Sequence, residues 1–439
     1  MVAALGIAGH LQAQSERPNV LGFANPTGIH RTYNVNGAID SDNPFFQSLG
    51  TNGRSCNTCH QPADGWSIVP SHVQARFDAT RGRDPIFRRN DGSNSPEADV
   101  STVEARRSAY SMLLRKGLIR VGIGVPAGAE FDLVAVDDPY GYASATELSL
   151  FRRPLPATNL AFLATVMWDG RETFPDQSIH FDLSDQANGA TLGHAAAINP
   201  LTEEQRESIV NFESGLFTTQ FIDNAAGVLD ARGAAGGPKQ LSQQPFFIGI
   251  NDALNPGFDR RAFTLFDAWQ TLASSDPNPF TAARQAIARG QEIFNTRGFT
   301  IANVRGVNDV LGVPALPGTC TTCHDAPNVG NHSTSLPLDL GLTTAARRTH
   351  DMPLYTFRNK KTGEVIQTTD PGRALITGRW AHMSVFKGPI LRGLAARAPY
   401  FHNGSAATLA DVVEFYNTRF SIGLSAQERS DLIAFLRAL

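Results

Sequence analysis

The 439-residue chain has four cysteines, and all of them fall in two Cys-x-x-Cys-His runs, Cys56-Asn-Thr-Cys59-His60 and Cys320-Thr-Thr-Cys323-His324. In such a run the two thiols can add across the vinyl groups of a porphyrin, and the histidine that follows is held at the iron as its proximal ligand. Two thioethers one turn apart fix the edge of the macrocycle to the chain, which leaves the imidazole little choice but the axial position. Coincidence is a poor rival, since two such pentads would arise by chance in about one chain in a million. A thioredoxin-like redox pair would want a βαβ pattern nearby, and none is present. A single four-cysteine zinc site would leave both adjacent histidines unexplained and would have to join pairs far apart in the chain. The chemistry these residues predict is therefore two covalently bound haem c groups, attached at Cys56, Cys59, Cys320 and Cys323, with His60 and His324 as iron ligands. Because thioether attachment is completed outside the bacterial cytoplasm, the expected location is the periplasm.

The pentads must be positioned by ordered elements, and both have a similar setting. Asn43-Pro-Phe-Phe-Gln-Ser-Leu-Gly50 precedes the first and Ile287-Ala-Arg-Gly-Gln-Glu-Ile-Phe-Asn295 the second. Each is a short amphipathic run leading into a glycine-containing loop, which predicts the opening helix of a haem domain. Ser425-Ala-Gln-Glu428 and Thr202-Glu-Glu-Gln205 are capping boxes followed by apolar residues at helical spacing, so each opens a packed helix, the second closing the first domain. The Ala- and Gly-rich stretch from Asn224 to Lys239 reads as a linker or long loop. The expected fold is mainly α: two cytochrome c-like haem domains with long ordered loops and insertions. Its expected divisions are 1–20 as a signal remnant or disordered start, 21–223 as the N-terminal haem domain, 224–280 as linker or insertion, and 281–439 as the C-terminal haem domain.

Bulk properties narrow the partners. The formal charge is −3 with basic residues scattered along the chain, so nothing resembles a surface that neutralises a phosphate backbone, and nucleic acid is not an expected partner. No run approaches the roughly 20 apolar residues of a membrane-spanning helix. The small, apolar start from Met1 to Ala13 reads as the remnant of a trimmed signal peptide.

Two pentads in consecutive domains, with Trp168-Asp-Gly-Arg171 between them and Ala398-Pro-Tyr-Phe-His-Asn-Gly404 near the end, resemble the bacterial di-haem cytochrome c peroxidase and MauG superfamily. Arg54-Ser-Cys-Asn-Thr-Cys-His60, Asp185-Gln-Ala-Asn-Gly189 and Pro389-Ile-Leu-Arg392 extend the match over most of the chain. Extra sequence around residues 72–150 and 220–280 makes it look like one of the longer, MauG-like members.

The resemblance implies a peroxide-reacting first haem on His60 and an electron-transferring second haem on His324, with Trp168 as the conduit between them. It also implies hydrogen peroxide as substrate, a small redox protein or client protein as electron donor, and a homodimer. Gln186 matches the family's distal glutamine in register. Where the family has its catalytic glutamate this chain has Ala196, and the nearest titratable side chain is His194, whose range suits acid–base work. Counting from His402, the far ligand of the second iron falls on Tyr416, as in the MauG type. Met383 is the rival, because methionine is the usual partner of histidine in cytochromes c. The family's inter-domain calcium site would draw on Arg153 and Arg397, and guanidinium groups do not ligate cations, so no calcium is expected there. His72 is a candidate cap for the first iron, and Arg373, Arg379, Lys387 and Arg392 are candidate partners for haem propionates. The alternative to a peroxidase is a non-catalytic di-haem electron-transfer cytochrome.

Overall fold

The computed structural model describes residues 18–439; most of the expected signal remnant lies outside them. The capping boxes act as read. Thr202 accepts from Gln205 N–H at the start of helix Glu203–Ser214, and Ser425 does the same for Glu428 in helix Ala426–Ala438. The run before the second pentad is part of the 16-residue helix Thr281–Thr296, packed on the C-terminal helix. That packing depends on Gly290, where an added Cβ would lie 2.0 Å from the carbonyl oxygen of Asp431. The run before the first pentad differs. It forms only the 3-10 turn Pro44–Phe46, capped by the Asn43 side chain, because Pro44 opens a single turn that drives Phe45 into the core with no exposed surface.

The expectation of a mainly α fold does not hold. The chain is 31% helical and 16% strand, with several sheets. Strands Val20–Asn25, Gly28–Asn34, Leu216–Asp223 and Gly227–Val228 form a four-stranded antiparallel sheet. Phe131–Asp137, from the extra sequence after the first pentad, pairs with Leu354–Asn359, which in turn pairs with Val365–Thr368. Ile119–Ile123 pairs with Leu148–Arg152. Strands such as these satisfy their backbone and bury their apolar side chains only against a partner, here brought from elsewhere in the chain. Helices therefore surround the pentads while sheets carry the flanking sequence.

The core is laid out in patches. Phe45, Trp66, Ile209 and Phe212 pack beside the first pentad. Phe263, Phe266, Trp269, Ile287, Phe294 and Phe435 pack beside the second, so residues from 224–280 belong to the core of the C-terminal half. Leu160, Phe162, Val166 and Leu183 meet Val329 and Ile390 between the halves. Met383, 1% exposed, is packed with Phe131, Tyr355, Phe357 and Trp380 under the inserted sheet. Among the described residues no helix is long and apolar enough to cross a membrane.

Two candidate haem sites

Each pentad is folded by the same local device. Cys56–Thr58 and Cys320–Thr322 are 3-10 turns in which Ser55 and Thr319 form reciprocal capping boxes with Thr58 and Thr322. The histidine N–H of each closes back on the carbonyl of the first cysteine at 3.0 Å. Each imidazole is then oriented from behind. His60 Nδ1 lies 3.1 Å from the carbonyl of Trp66, and His324 Nδ1 lies 2.6 Å from the carbonyl of Gly330. Both carbonyls sit six residues after their histidine, on residues in the left-handed region (φ +62° and +66°). Burial pushes the imidazoles down, His60 to about 4. A neutral ring that donates through Nδ1 keeps its Nε2 lone pair for an iron, which is how a second hydrogen bond fixes a ligand's tautomer.

Both pentads open onto large cavities. The first takes in about 1460 Å³ and the second about 1770 Å³ of non-atom space, their open mouths included. Cys56, Cys59 and His60 line the first; Cys320, Cys323 and His324 line the second. Burial raises all four thiols, Cys320 and Cys323 to about 12. Free thiols in such surroundings would be inert, whereas redox-active pairs are held low. Among the described residues no three His, Cys, Asp or Glu side chains converge on a metal point. The thiols and the Nε2 lone pair at the wall of each apolar cavity fit a covalently held macrocycle.

The two cavities share a wall. Arg153, Pro154, Leu155, Pro156, Trp168, Lys387 and Ile390 line both. Trp168 is fixed from two sides: its indole N–H donates to the Arg153 carbonyl at 2.8 Å, and its own carbonyl accepts from Lys387 N–H at 2.9 Å. On the second side its ring meets His402 edge-on at 6.0 Å, and His402 stacks on Phe386 at 4.1 Å.

In sequence, residues 385–421 match the family model described as RoxA-like, cytochrome c-like. The cytochrome-c peroxidase IdrP1 of Denitromonas iodatirespirans is 31% identical over 324 residues, covering 65% of this chain and 82% of that protein. This chain is a member of the di-haem cytochrome c peroxidase and MauG superfamily. IdrP2, a cytochrome-c peroxidase of the same organism, is 33% identical over 132 residues, a match that spans 28% of this chain and only 36% of that relative. A solved MauG-like protein associated with microbial copper homeostasis aligns with 90% of this chain and 87% of its own at 14% identity and TM-score 0.39. Membership makes the chain a haem c oxidoreductase of the peroxidase type.

The remaining family positions can now be located. Gln186 and His194 lie two turns apart on helix Ile179–Gly193 and its C-cap, and both line the first cavity. Tyr416, on helix Leu409–Arg419, lines the second cavity with its ring 6.4 Å from that of His324. Burial, with Cys323 and Cys320 beside it, raises its phenol. Met383 does not line that cavity. His72 turns from the first cavity to pair with the buried Asp64. Of the four candidate propionate partners Lys387 lines both cavities, while Arg392 donates to the Asn328 carbonyl and Arg373 to that of Asp169. At the expected calcium position Arg153 donates to the carbonyls of Lys116, Ile68 and Arg397, and Arg397 to those of Ile390 and Arg392.

Three lining residues were not singled out in sequence. Asp91 and Glu213 bring carboxyl groups to the first cavity. His332 lines the second, as does His402 of the Tyr-Phe-His-Asn-Gly run, each with a buried ring nitrogen, Nδ1 and Nε2, without a hydrogen-bond partner. Asp91, Glu213 and His332 carry no contiguous signal and reach the cavities through folding.

Proposed function

We propose that the chain is a periplasmic di-haem enzyme that reduces hydrogen peroxide at the first cavity, or uses it to oxidise a client protein, and that takes electrons in through the second. The observation that carries this reading is the asymmetry of two cavities joined at Trp168. A glutamine and a histidine face the first, and a tyrosine faces the second. When bound, the two haem groups supply the redox equivalents. His60 and His324 would hold the irons through their Nε2 lone pairs. The Gln186 amide steadies peroxide by hydrogen bonding, and His194 moves a proton between its oxygens. In balance, H2O2 takes up two electrons and two protons and leaves as two waters, the electrons coming from a reduced small redox protein or from the client. Tyr416 is the proposed sixth ligand of the second iron, supported by its place on the cavity wall, whereas Met383 is committed to another core.

The ferric absorption and electron paramagnetic resonance spectra of the holoprotein test this. A component that shifts on adding peroxide or cyanide, and a second-haem signal that moves in Tyr416→Met, are the expected results. Two low-spin haems inert to both reagents would favour a simple electron carrier, and an unmoved signal would remove Tyr416 from the coordination sphere.

A further inference from the structure

Where the resemblance puts a proton-transferring glutamate, this chain has Ala196, which leaves the first cavity without that general base. The fold compensates from another loop. Asp91, 5% exposed, reaches the cavity wall from far earlier in the chain. One carboxylate oxygen takes the Nδ1 of His194 and the other takes Nη1 of Arg54. The carboxylate is anchored in turn. Its own backbone carbonyl accepts from Arg120 N–H at 2.7 Å, and Arg54 is clamped by the carbonyls of Pro85 at 2.8 Å and Ile86 at 2.6 Å. The backbone of His194 is held as well, by Asn52 Nδ2 on its carbonyl at 2.8 Å.

We infer that Asp91, set in place by Arg54, is the positioning residue of a histidine–aspartate dyad that does the work of the absent glutamate. With Nδ1 tied to the carboxylate, Nε2 is the nitrogen left to exchange protons. It takes the proton from one peroxide oxygen and returns it to the other, which departs as water when the O–O bond breaks, while the donor's two electrons and two further protons carry the remaining oxygen to the second water. The carboxylate holds one tautomer and steadies the imidazolium between the two transfers. His194 contacts Asp91 and Arg54, His60 stands across the cavity, and the other charged or titratable groups that line it are Glu213, Arg152, Arg153, Arg171 and Lys387. Burial alone would push Asp91 up, yet the imidazole and the guanidinium outweigh it and hold the carboxyl below its usual range. It is thus ionised whenever the histidine must accept a proton.

This inference rests on the peroxide reading, and one experiment separates the two. Peroxide consumption by the holoprotein is followed from pH 5 to 9 with a reduced artificial donor, for wild type, His194→Gln, Asp91→Asn and Asp91→Glu, haem content being checked by mass. His194→Gln keeps the Arg54–Asp91 pair and should lower kcat/KM by roughly 10²–10⁴-fold, the range of a lost general acid–base. Asp91→Asn should give an intermediate loss and a pH profile that differs from wild type, because the carboxylate behind His194 is gone. Asp91→Glu should restore part of the rate. Wild-type rate and profile in His194→Gln or Asp91→Asn would overturn the dyad while leaving peroxidase function intact. So would conversion of a low-spin first haem to high spin in His194→Gln, which would make His194 an iron ligand. A wild-type protein that consumes no peroxide would bring down the functional reading and the dyad with it.

Discussion

Glu213 faces the first cavity beside Cys56 with 6% of its surface exposed, and burial pushes its carboxyl up to about 8. Asp91, on the same cavity, is held down by its cationic partners. One cavity thus carries a neutral acid and an ionised one at pH 7, a separation produced by surroundings and not by residue type. The stability consequence for Glu213 follows from its raised value. Between its ordinary value of 4.5 and about 8 the unfolded chain gives up a proton that the folded chain keeps, so stability falls as pH rises through that window, by at most about 1.4 kcal/mol per pH unit. Glu213→Gln should remove this dependence. The variant's thermal midpoint should match wild type near pH 5 and exceed it near pH 8; parallel profiles in the two proteins would show that Glu213 ionises freely. Residues of this kind were illegible in the sequence, for a physical reason. The pentads announce themselves because thioether chemistry demands contiguous spacing, whereas Asp91 and Glu213 acquire their roles only from neighbours distant in the chain. His194 could be singled out as the titratable side chain nearest the position of the family's glutamate, but nothing in the sequence pointed to the carboxylate behind it.

Among the elements, the helices whose ends are written in local chemistry were readable. Ser425 with Glu428 and Thr202 with Gln205 satisfy backbone donors within four residues, so no distant partner is needed to start those helices. The sheets were not, since Phe131–Asp137 finds Leu354–Asn359 about half the chain away and with a bulge between Thr356 and Phe357. Strand pairing of that separation leaves no local trace, and a short run such as Phe131-Asp-Leu-Val-Ala-Val-Asp137 competes poorly against a strong prior for helical haem domains. Gly290 marks where two readable helices meet. Replacing glycine by alanine inside a helix normally gains about 1 kcal/mol. Here the new Cβ would stand 2.0 Å from the Asp431 carbonyl and 2.7 Å from the Cβ of Phe435, and overpacking of that order costs about 1–3 kcal/mol. The steric penalty wins because a backbone carbonyl cannot swing aside. Gly290→Ala should therefore lower the thermal midpoint of the holoprotein by several degrees; an unchanged or raised midpoint would mean that the helices separate at little cost.

At the scale of the molecule, the two cavities are held in register by buried charge at their common wall. Arg152, 2% exposed as a residue, bonds Asp370 at 2.7 and 2.9 Å and Asp169 at 2.5 Å. It ties the strand before the wall, the Trp168-Asp-Gly-Arg171 run and the segment that leads on to Lys387 into one unit. Breaking such a pair from one side leaves uncompensated buried charge, at a cost of about 3–5 kcal/mol, so the wall behaves as a rigid partition. Trp168 is the aromatic group that reaches both sides of it, and the proposed function assigns it the electron path. Trp168→Phe tests that assignment with limited structural damage. It keeps an aromatic ring and forfeits one hydrogen bond to the Arg153 carbonyl, worth about 1 kcal/mol net. Electrons delivered to the second haem should then reach the first more slowly by an order of magnitude or more, while the spectral response of the first haem to added peroxide keeps its wild-type rate. Rapid mixing of the reduced variant with peroxide, followed at wavelengths that distinguish the two haems, measures both quantities in one trace. If the two haems exchange electrons at the wild-type rate in this variant, the path crosses the wall elsewhere, through Lys387 or the Arg153–Pro156 segment, and Trp168 is a structural wedge.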